Sequence, residues 1–105
     1  MAKYEIKDGV GIIPEGMTSI GESAFYDCTG LTSIVIPKGV TKIEKFAFSA
    51  CIRLKEVTLP VGVNEIYKNA FDGCDALESI YVPAKKTDYY KKRLPKRLHS
   101  LIVEL

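Results

Sequence analysis

The sequence predicts an α/β solenoid built from stacked coils of 23 residues. A proline recurs at this interval four times, at Pro14, Pro37, Pro60 and Pro83. The same interval relates three phenylalanines, three cysteines and three leucines: Phe25, Phe48 and Phe71; Cys28, Cys51 and Cys74; Leu31, Leu54 and Leu77. A fixed period of about 20 to 50 residues is typical of repeat proteins, whose units must stack on their neighbours to bury an apolar side.

Residues 1–15 are predicted to form a degenerate first coil. Their apolar side chains continue the repeat pattern: Tyr4, Ile6, Val10, Ile12 and Ile13. Gly11, however, stands where the repeats have an inward Ile or Val, and Asp8 stands where they have Leu. Since the ends of a solenoid expose the edge of its core, we expect this segment to cap the first full repeat.

Residues 16–83 hold three full repeats, each with a predicted strand. Apolar residues two positions apart give the strand period: Ile34 and Ile36, Val57 and Leu59, Ile80 and Val82. The strands are placed near 33–36, 56–59 and 79–82, and each ends at a proline that cannot donate a ladder hydrogen bond. Strands one coil apart should pair in parallel.

Each repeat also carries a predicted helical turn and a glycine turn. The Ala-Phe pairs lie within 22–28, 45–51 and 69–74, where the mixture of apolar and polar residues suits one short α or 3₁₀ turn per coil. The glycines that follow the prolines, Gly16, Gly39 and Gly62, should swing the chain away from the sheet.

The three cysteines occupy one position of the repeat and are predicted to be free thiols. An odd number cannot pair fully, and side chains that point the same way from coils about 4.8 Å apart hold their Cβ atoms too far apart for a disulfide. The spacing of zinc ligands is absent. We therefore expect three buried thiols that fill a small apolar slot.

Residues 84–105 are predicted to form a helical C-terminal cap and a last strand. A helix is expected from Thr87, as N-cap, to Leu98, with a kink or break at Pro95. Three residues at i, i+4 spacing share its apolar face: Tyr90, Leu94 and Leu98. The final five residues lie 23 positions after 78–82, so Val103 and Leu105 are expected in the inward places of Ile80 and Val82.

The repeat pattern resembles a known family. The combination L-x-x-I-x-I-P, G-V-T-x-I and A-F-x-x-C over about residues 10–83 is similar to BspA-type leucine-rich repeats, and the ending IYVPAKKTDYYKKRLPKRL resembles caps of such proteins in gut Bacteroides-like bacteria. The resemblance implies a right-handed leucine-rich-repeat solenoid, with a short parallel sheet on its concave face and short helical turns on its convex side. It also implies an adhesin-like function at the cell surface, toward host matrix proteins or other bacteria.

Length and composition fit one domain over residues 1–105. The chain is 47% hydrophobic, yet no run approaches the roughly 18 apolar residues of a membrane span, and the N-terminus lacks the apolar core of a secretory signal. From these features the chain is expected to stay in the cytoplasm, whereas the resemblance implies the cell surface. The compartment therefore stays open, as does whether the chain is part of a longer array.

The outward face of the predicted sheet is the candidate binding surface. Six residues of the full repeats should line it: Ser33, Val35, Glu56, Thr58, Ser79 and Tyr81. Val10 and Ile12 continue the two rows into the first coil. The row that contains Val35 and Tyr81 is unusually apolar, which is typical of protein contacts, although β-branched residues also occur there for strand propensity alone.

A second and weaker candidate is the basic face of the cap. Residues 83–105 hold seven of the fifteen basic groups and two acidic groups, whereas residues 1–82 hold eight basic and eleven acidic groups. Five basic residues should share the exposed side of the cap: Lys91, Lys92, Arg93, Lys96 and Arg97. They could bind a nucleic acid, a polyanionic glycan or membrane phosphate. The favoured interpretation is a solvated face, because phosphate-loop and nucleic-acid motifs are absent.

The sequence does not predict an enzyme. The one histidine, His99, has no nucleophile or acid placed near it by a motif, and the acidic residues do not align between repeats. No cofactor or metal is expected. Two functions remain: a module that binds a protein or glycan, and a cytoplasmic structural or regulatory repeat protein that self-associates or docks on a larger assembly.

Overall fold

Two separate sheets organise the chain in the computed structural model, which describes residues 4–105. Nine strands are present in this range: β1 (Glu5–Lys7), β2 (Val10–Ile12), β3 (Ser19–Ile20), β4 (Ser33–Val35), β5 (Lys42–Ile43), β6 (Glu56–Thr58), β7 (Glu65–Ile66), β8 (Ser79–Val82) and β9 (Ile102–Glu104). A short helix α1 (Thr87–Lys91) and a 3₁₀ helix (Lys96–Leu101) precede β9. The first three residues of the predicted first coil lie outside the described residues.

The main sheet has six strands in the order β1-β2-β4-β6-β8-β9. The predicted strands of the three repeats are confirmed to within one residue, and they pair in parallel. The register joins Ser33 to Glu56 and Glu56 to Ser79, so equivalent positions of successive repeats lie side by side. The 23-residue period of the sequence is therefore the interval between neighbouring strands.

A second, three-stranded parallel sheet was not predicted. It consists of β3, β5 and β7, with Ile20 beside Ile43 and Ile43 beside Ile66. These isoleucines are buried, as their alignment in the repeat indicates. Strands of two residues are too short to produce a period in the sequence, so only their inward residue was recognisable.

The core lies between the two sheets and the turns, and it is built from ladders of identical side chains. Phe25, Phe48 and Phe71 are buried and stack in parallel, with ring centroids 5.3 and 5.2 Å apart. Tyr4 covers the first ring of this stack at 5.3 Å. Each coil thus buries its aromatic ring only because another ring lies above or below it.

The structure does not confirm the predicted helical turns around the Ala-Phe pairs. In these segments backbone N–H groups alternate between two kinds of partner: Ala24 donates to Gly21 in its own coil, whereas Phe25 donates to Ala47 in the next coil. Positive φ angles at alternate turns prevent a continuous helix: Ser23, Asp27, Phe46 and Ala50 all lie near +60°. The segments are therefore successive tight turns that bond to the neighbouring coil.

The N-terminal coil is a β-hairpin. β1 pairs with β2 in antiparallel register, with Lys7 opposite Val10, so the connection is the two-residue loop Asp8-Gly9. Both loop residues have positive φ, at 52° and 83°. Asp-Gly is a strong signal for a two-residue hairpin turn, and this signal was not used in the prediction.

The C-terminal cap is divided at Pro95, as predicted, and its buried side chains are the predicted stripe of Tyr90, Leu94 and Leu98. The prediction that Thr87 is the N-cap is wrong. Thr87 is the first residue of α1, and its hydroxyl donates to Glu104 Oε1 at 2.8 Å instead of capping the helix. The threonine therefore joins the cap to β9.

The predicted inward placement of Val103 and Leu105 is also wrong. Ile80 pairs with Ile102, and Tyr81 pairs with Val103, so the interval between the last two strands is 22 residues and not 23. Side chains alternate along a strand, and a shift of one residue therefore reverses every side chain between the two faces. Ile102 packs on the core, whereas Val103 and Leu105 are 41% and 67% exposed.

Candidate binding surface

The six predicted surface residues form two adjacent rows on the outer face of the main sheet. One row joins Ser33, Glu56 and Ser79, and the other joins Val35, Thr58 and Tyr81. The residues between them in each strand, such as Ile34 and Val57, are buried. Strand alternation thus directs the six side chains away from the core because their neighbours are needed inside it.

Exposure varies within each row, because Glu56 and Val35 are exposed and their neighbours in the row are half-buried. Val35 is 63% exposed, whereas Thr58 and Tyr81 are half-buried. The Tyr81 hydroxyl donates to Glu56 Oε2 across the rows at 3.4 Å. This long and exposed hydrogen bond orients the tyrosine ring without burying a charge.

The apolar row continues on both sides of the repeats. Ile12 in β2 precedes Val35 and is 42% exposed, and Val103 in β9 lies beside Tyr81. We call this row the apolar stripe, defined as Ile12, Val35, Thr58, Tyr81 and Val103. Val10 and Leu105, which are also exposed, widen it at its two ends.

Val103 and Leu105 are the surface residues that the sequence reasoning missed. An alternative alignment of the last strand could have found them. If Ile102 is aligned with Ile80, two isoleucines lie side by side, and Val103 then lies beside Tyr81 on the outer face. The repeat period favoured the other alignment, because nothing in the sequence reveals how many residues the cap uses.

The five basic residues of the cap do not form one free cluster. The Arg93 guanidinium lies 3.6 Å from the centroid of the Tyr89 ring and donates to the Tyr89 carbonyl at 2.9 Å. Arg97 pairs with Asp72 at 2.8 Å. Both arginines therefore join the cap to itself or to the repeats, and the exposed members outside these contacts are Lys91, Lys92 and Lys96.

Two tyrosines attach the cap to the last full coil. The Tyr89 hydroxyl donates to the Val63 carbonyl at 2.8 Å, and the Tyr90 hydroxyl donates to the Pro60 carbonyl. Arg93 Nε also donates to the Asn64 carbonyl at 3.3 Å. These bonds satisfy carbonyl groups at the turn after β6, where no further coil supplies a partner.

The cysteines are free, as predicted, and the pKa of each thiol is raised by burial. Cys51 is fully buried, and burial raises its pKa to about 12. Its Sγ donates to the Phe25 carbonyl at 2.9 Å, and Cys74 Sγ donates to the Phe48 carbonyl at 3.0 Å. Cys51 and Cys74 are thus protonated donors that bridge successive coils, whereas Cys28 donates to the Tyr26 carbonyl of its own coil at 3.8 Å. The expectation of three buried thiols is wrong for Cys74, which is only half-buried.

The single histidine of the chain contacts the backbone of the cap. His99 lies against the Leu94 carbonyl, with 3.0 Å between Nε2 and the oxygen. Residues 4–105 contain no ligand-sized pocket and no cluster of three metal-ligating side chains. In the same range, no helix has the length and apolar content needed to cross a membrane.

Comparison with known proteins identifies a family and a similar solved structure. The profile of the BspA type leucine-rich repeat region matches residues 11–95 in six copies. A leucine-rich cell surface protein from Faecalibacterium prausnitzii is 30% identical in sequence, with a TM-score of 0.50. The match covers 73% of this chain but only 26% of that protein. Among curated proteins, none matches.

Proposed function

Because this chain belongs to the BspA type leucine-rich repeat family, we propose that it is a non-catalytic, adhesin-like module that binds a protein or glycan through the outer face of its main sheet. Repeats of this family generally mediate protein binding or adhesion. The proposal takes the outer face to be the concave face of a right-handed solenoid. Its site consists of Ser33, Val35, Glu56, Thr58, Ser79 and Tyr81.

The observation that carries the proposal is the exposed apolar stripe. Val35 lies in the middle of the sheet and is 63% exposed, although the neighbouring row of Ser33, Glu56 and Ser79 is polar. Apolar side chains that line up across several strands and are rimmed by polar groups are typical of contact surfaces. Exposed apolar residues on the turn side, such as Tyr26 and Ile52, do not belong to this row.

The test uses the double variant Val35→Asp/Tyr81→Asp. We expect the wild-type chain to bind a member of a panel of purified matrix proteins and immobilised oligosaccharides, and the double variant to bind it about ten-fold or more weakly. Ile52→Asp, which is 49% exposed on the turn side, is the matched control and should bind like wild type. Equal binding by all three chains would contradict the use of this face.

Cell-surface location is part of the proposal, supported by the description of the similar Faecalibacterium protein as a cell surface protein. Antibodies against this chain and protease treatment of intact source cells would test it. Loss of the band before lysis is the expected result. Survival of the band until lysis would favour the alternative, a cytoplasmic repeat protein that self-associates or docks on a larger assembly.

A further inference from the structure

The dimensions of the apolar stripe restrict what can occupy it. Its five side chains come from five neighbouring strands, so the stripe is about 19 Å long at a strand spacing of about 4.8 Å. Most of the strands are three residues long, which makes the face only about 10 Å high. The partner must therefore contact a narrow strip that runs across the strands.

A second copy of this chain does not fit that strip. Two such faces packed together would overlap over about 190 Å² in projection, whereas a stable interface buries about 800 Å² from each partner. Even allowing for the relief of the side chains, a sheet-on-sheet dimer would be far too small. A rod of about 10 Å diameter covers the full height of the face over the same small area, which suits weak binding of a single short segment and not a stable pair of folded chains.

The backbone chemistry of the face favours a helical rod over an extended segment. The strands use their N–H and C=O groups in the ladders with their neighbours, so the face offers side chains only. An extended peptide gains main-chain hydrogen bonds at a sheet edge and not on a sheet face, whereas an α-helix satisfies its own backbone.

The spacing of the stripe agrees with this choice. An α-helix presents one apolar position per turn of about 5.4 Å, close to the strand spacing of about 4.8 Å. An extended chain presents a side chain to one face every ~6.7 Å, so it would match only about three of the five positions. Proline-rich helices usually dock on aromatic-lined grooves, and the stripe has a single aromatic residue, Tyr81.

We propose that the apolar stripe binds one face of an amphipathic α-helix of about 13 residues, supplied by a partner protein and lying across the strands of the main sheet. This inference rests on the proposed function, because it names the class of partner for the same surface. Exposed Ile12 and Val103 contact the two ends of the helix, and Val35 contacts its middle.

A displayed library of random 14-residue peptides, selected on the immobilised wild-type chain, tests the proposal. The selected peptides are expected to carry apolar residues three and four positions apart. Their circular dichroism spectrum should become helical when they bind. They should bind Val35→Asp about ten-fold or more weakly and Ile52→Asp like wild type. If Val35→Asp does not fold, Val103→Asp on the edge strand takes its place.

Several outcomes would overturn the helix and not the binding face. Selected peptides with apolar residues at alternate positions would indicate an extended ligand. An oligosaccharide that binds wild type but not Val35→Asp would leave the proposed function standing with a different partner, and so would a dimer in sedimentation that this variant abolishes. Absence of any enriched peptide would also contradict the helical partner, whereas selected peptides that bind Val35→Asp and Ile52→Asp equally would contradict the binding face itself.

Discussion

Single residues hold the coils together through ladders in which each member needs its neighbours. Phe48 is the clearest case, because its ring lies between those of Phe25 and Phe71 and has no solvent exposure. Aromatic stacking of this kind contributes beyond the apolar area that each ring buries. Removal of the middle ring therefore weakens two contacts at once.

Phe48→Ala is expected to lower the free energy of unfolding by about 3–5 kcal/mol, through lost burial and the cavity left behind. Urea unfolding followed by circular dichroism measures the change. Tyr26→Ala removes an aromatic ring that is 49% exposed and should change stability by about 0.5 kcal/mol or less. If the free energy of unfolding fell as little in Phe48→Ala as in Tyr26→Ala, the inward placement of Phe48 would be contradicted.

The buried thiols predict a loss of stability at alkaline pH. Burial raises the pKa of Cys51 from 9.0 to about 12, so the folded chain holds this proton while the unfolded chain releases it. Stability is therefore full below about pH 9 and falls as the pH rises towards 12. The urea concentration at the midpoint of unfolding should decrease as the pH is raised from about 8.5 to about 10.5, and the decrease should be smaller in Cys51→Ala. If the urea midpoint changed equally with pH in wild type and Cys51→Ala, the raised pKa of Cys51 would be contradicted.

At the scale of elements, the two ends differ in how they cover the core. The N-terminal hairpin replaces an inward side chain with Gly11, because the space is already filled by the full repeat. A Cβ atom at this position would lie 2.7 Å from Ile34 Cδ1 and 3.0 Å from Leu31 Cδ1. The C-terminal cap instead adds side chains, among them Tyr90, over the last coil.

Gly11→Val restores the repeat consensus but is expected to destabilise the chain by about 1–3 kcal/mol, because it overpacks the core. Thermal unfolding would measure the effect. Gly62→Ala is the control, since a Cβ atom there meets no heavy atom within 4 Å. Should Gly11→Val be as stable as wild type, the hairpin would have to lie farther from Leu31 and Ile34 than it does here.

On the scale of the whole molecule, charge is divided between the repeats and the cap. Residues 83–105 carry a net charge of +5, with seven basic and two acidic groups, and residues 1–82 carry −3, with eight and eleven. Of the five residues of the basic face, Arg97 pairs with Asp72 and Arg93 packs on Tyr89, so three exposed lysines of that face remain for an anionic partner. Three phosphate contacts give a salt slope of only about −2.7, too shallow for strong binding at physiological salt.

The chain is therefore expected to leave a heparin column below about 150 mM salt. The variant Lys91→Glu/Lys92→Glu/Lys96→Glu should elute earlier still. A variant with the same change of charge at three exposed lysines of the repeats, Lys38→Glu/Lys55→Glu/Lys68→Glu, should elute later than the cap variant. Retention of wild type well above 150 mM would instead favour the basic face as a binding site for polyanions.

The repeat, its strands and the rows of the candidate surface follow from the residue pattern alone, because a fixed period places equivalent residues side by side whatever the details of the coil. Ser33, Glu56 and Ser79 are neighbours for this reason alone. The N-terminal hairpin could also have been predicted, from Asp8-Gly9, whereas the tight turns and the register of β9 could not. These depend on hydrogen bonds to another coil or on the path of the cap, and a shift of one residue in that path moved Val103 from the core to the apolar stripe.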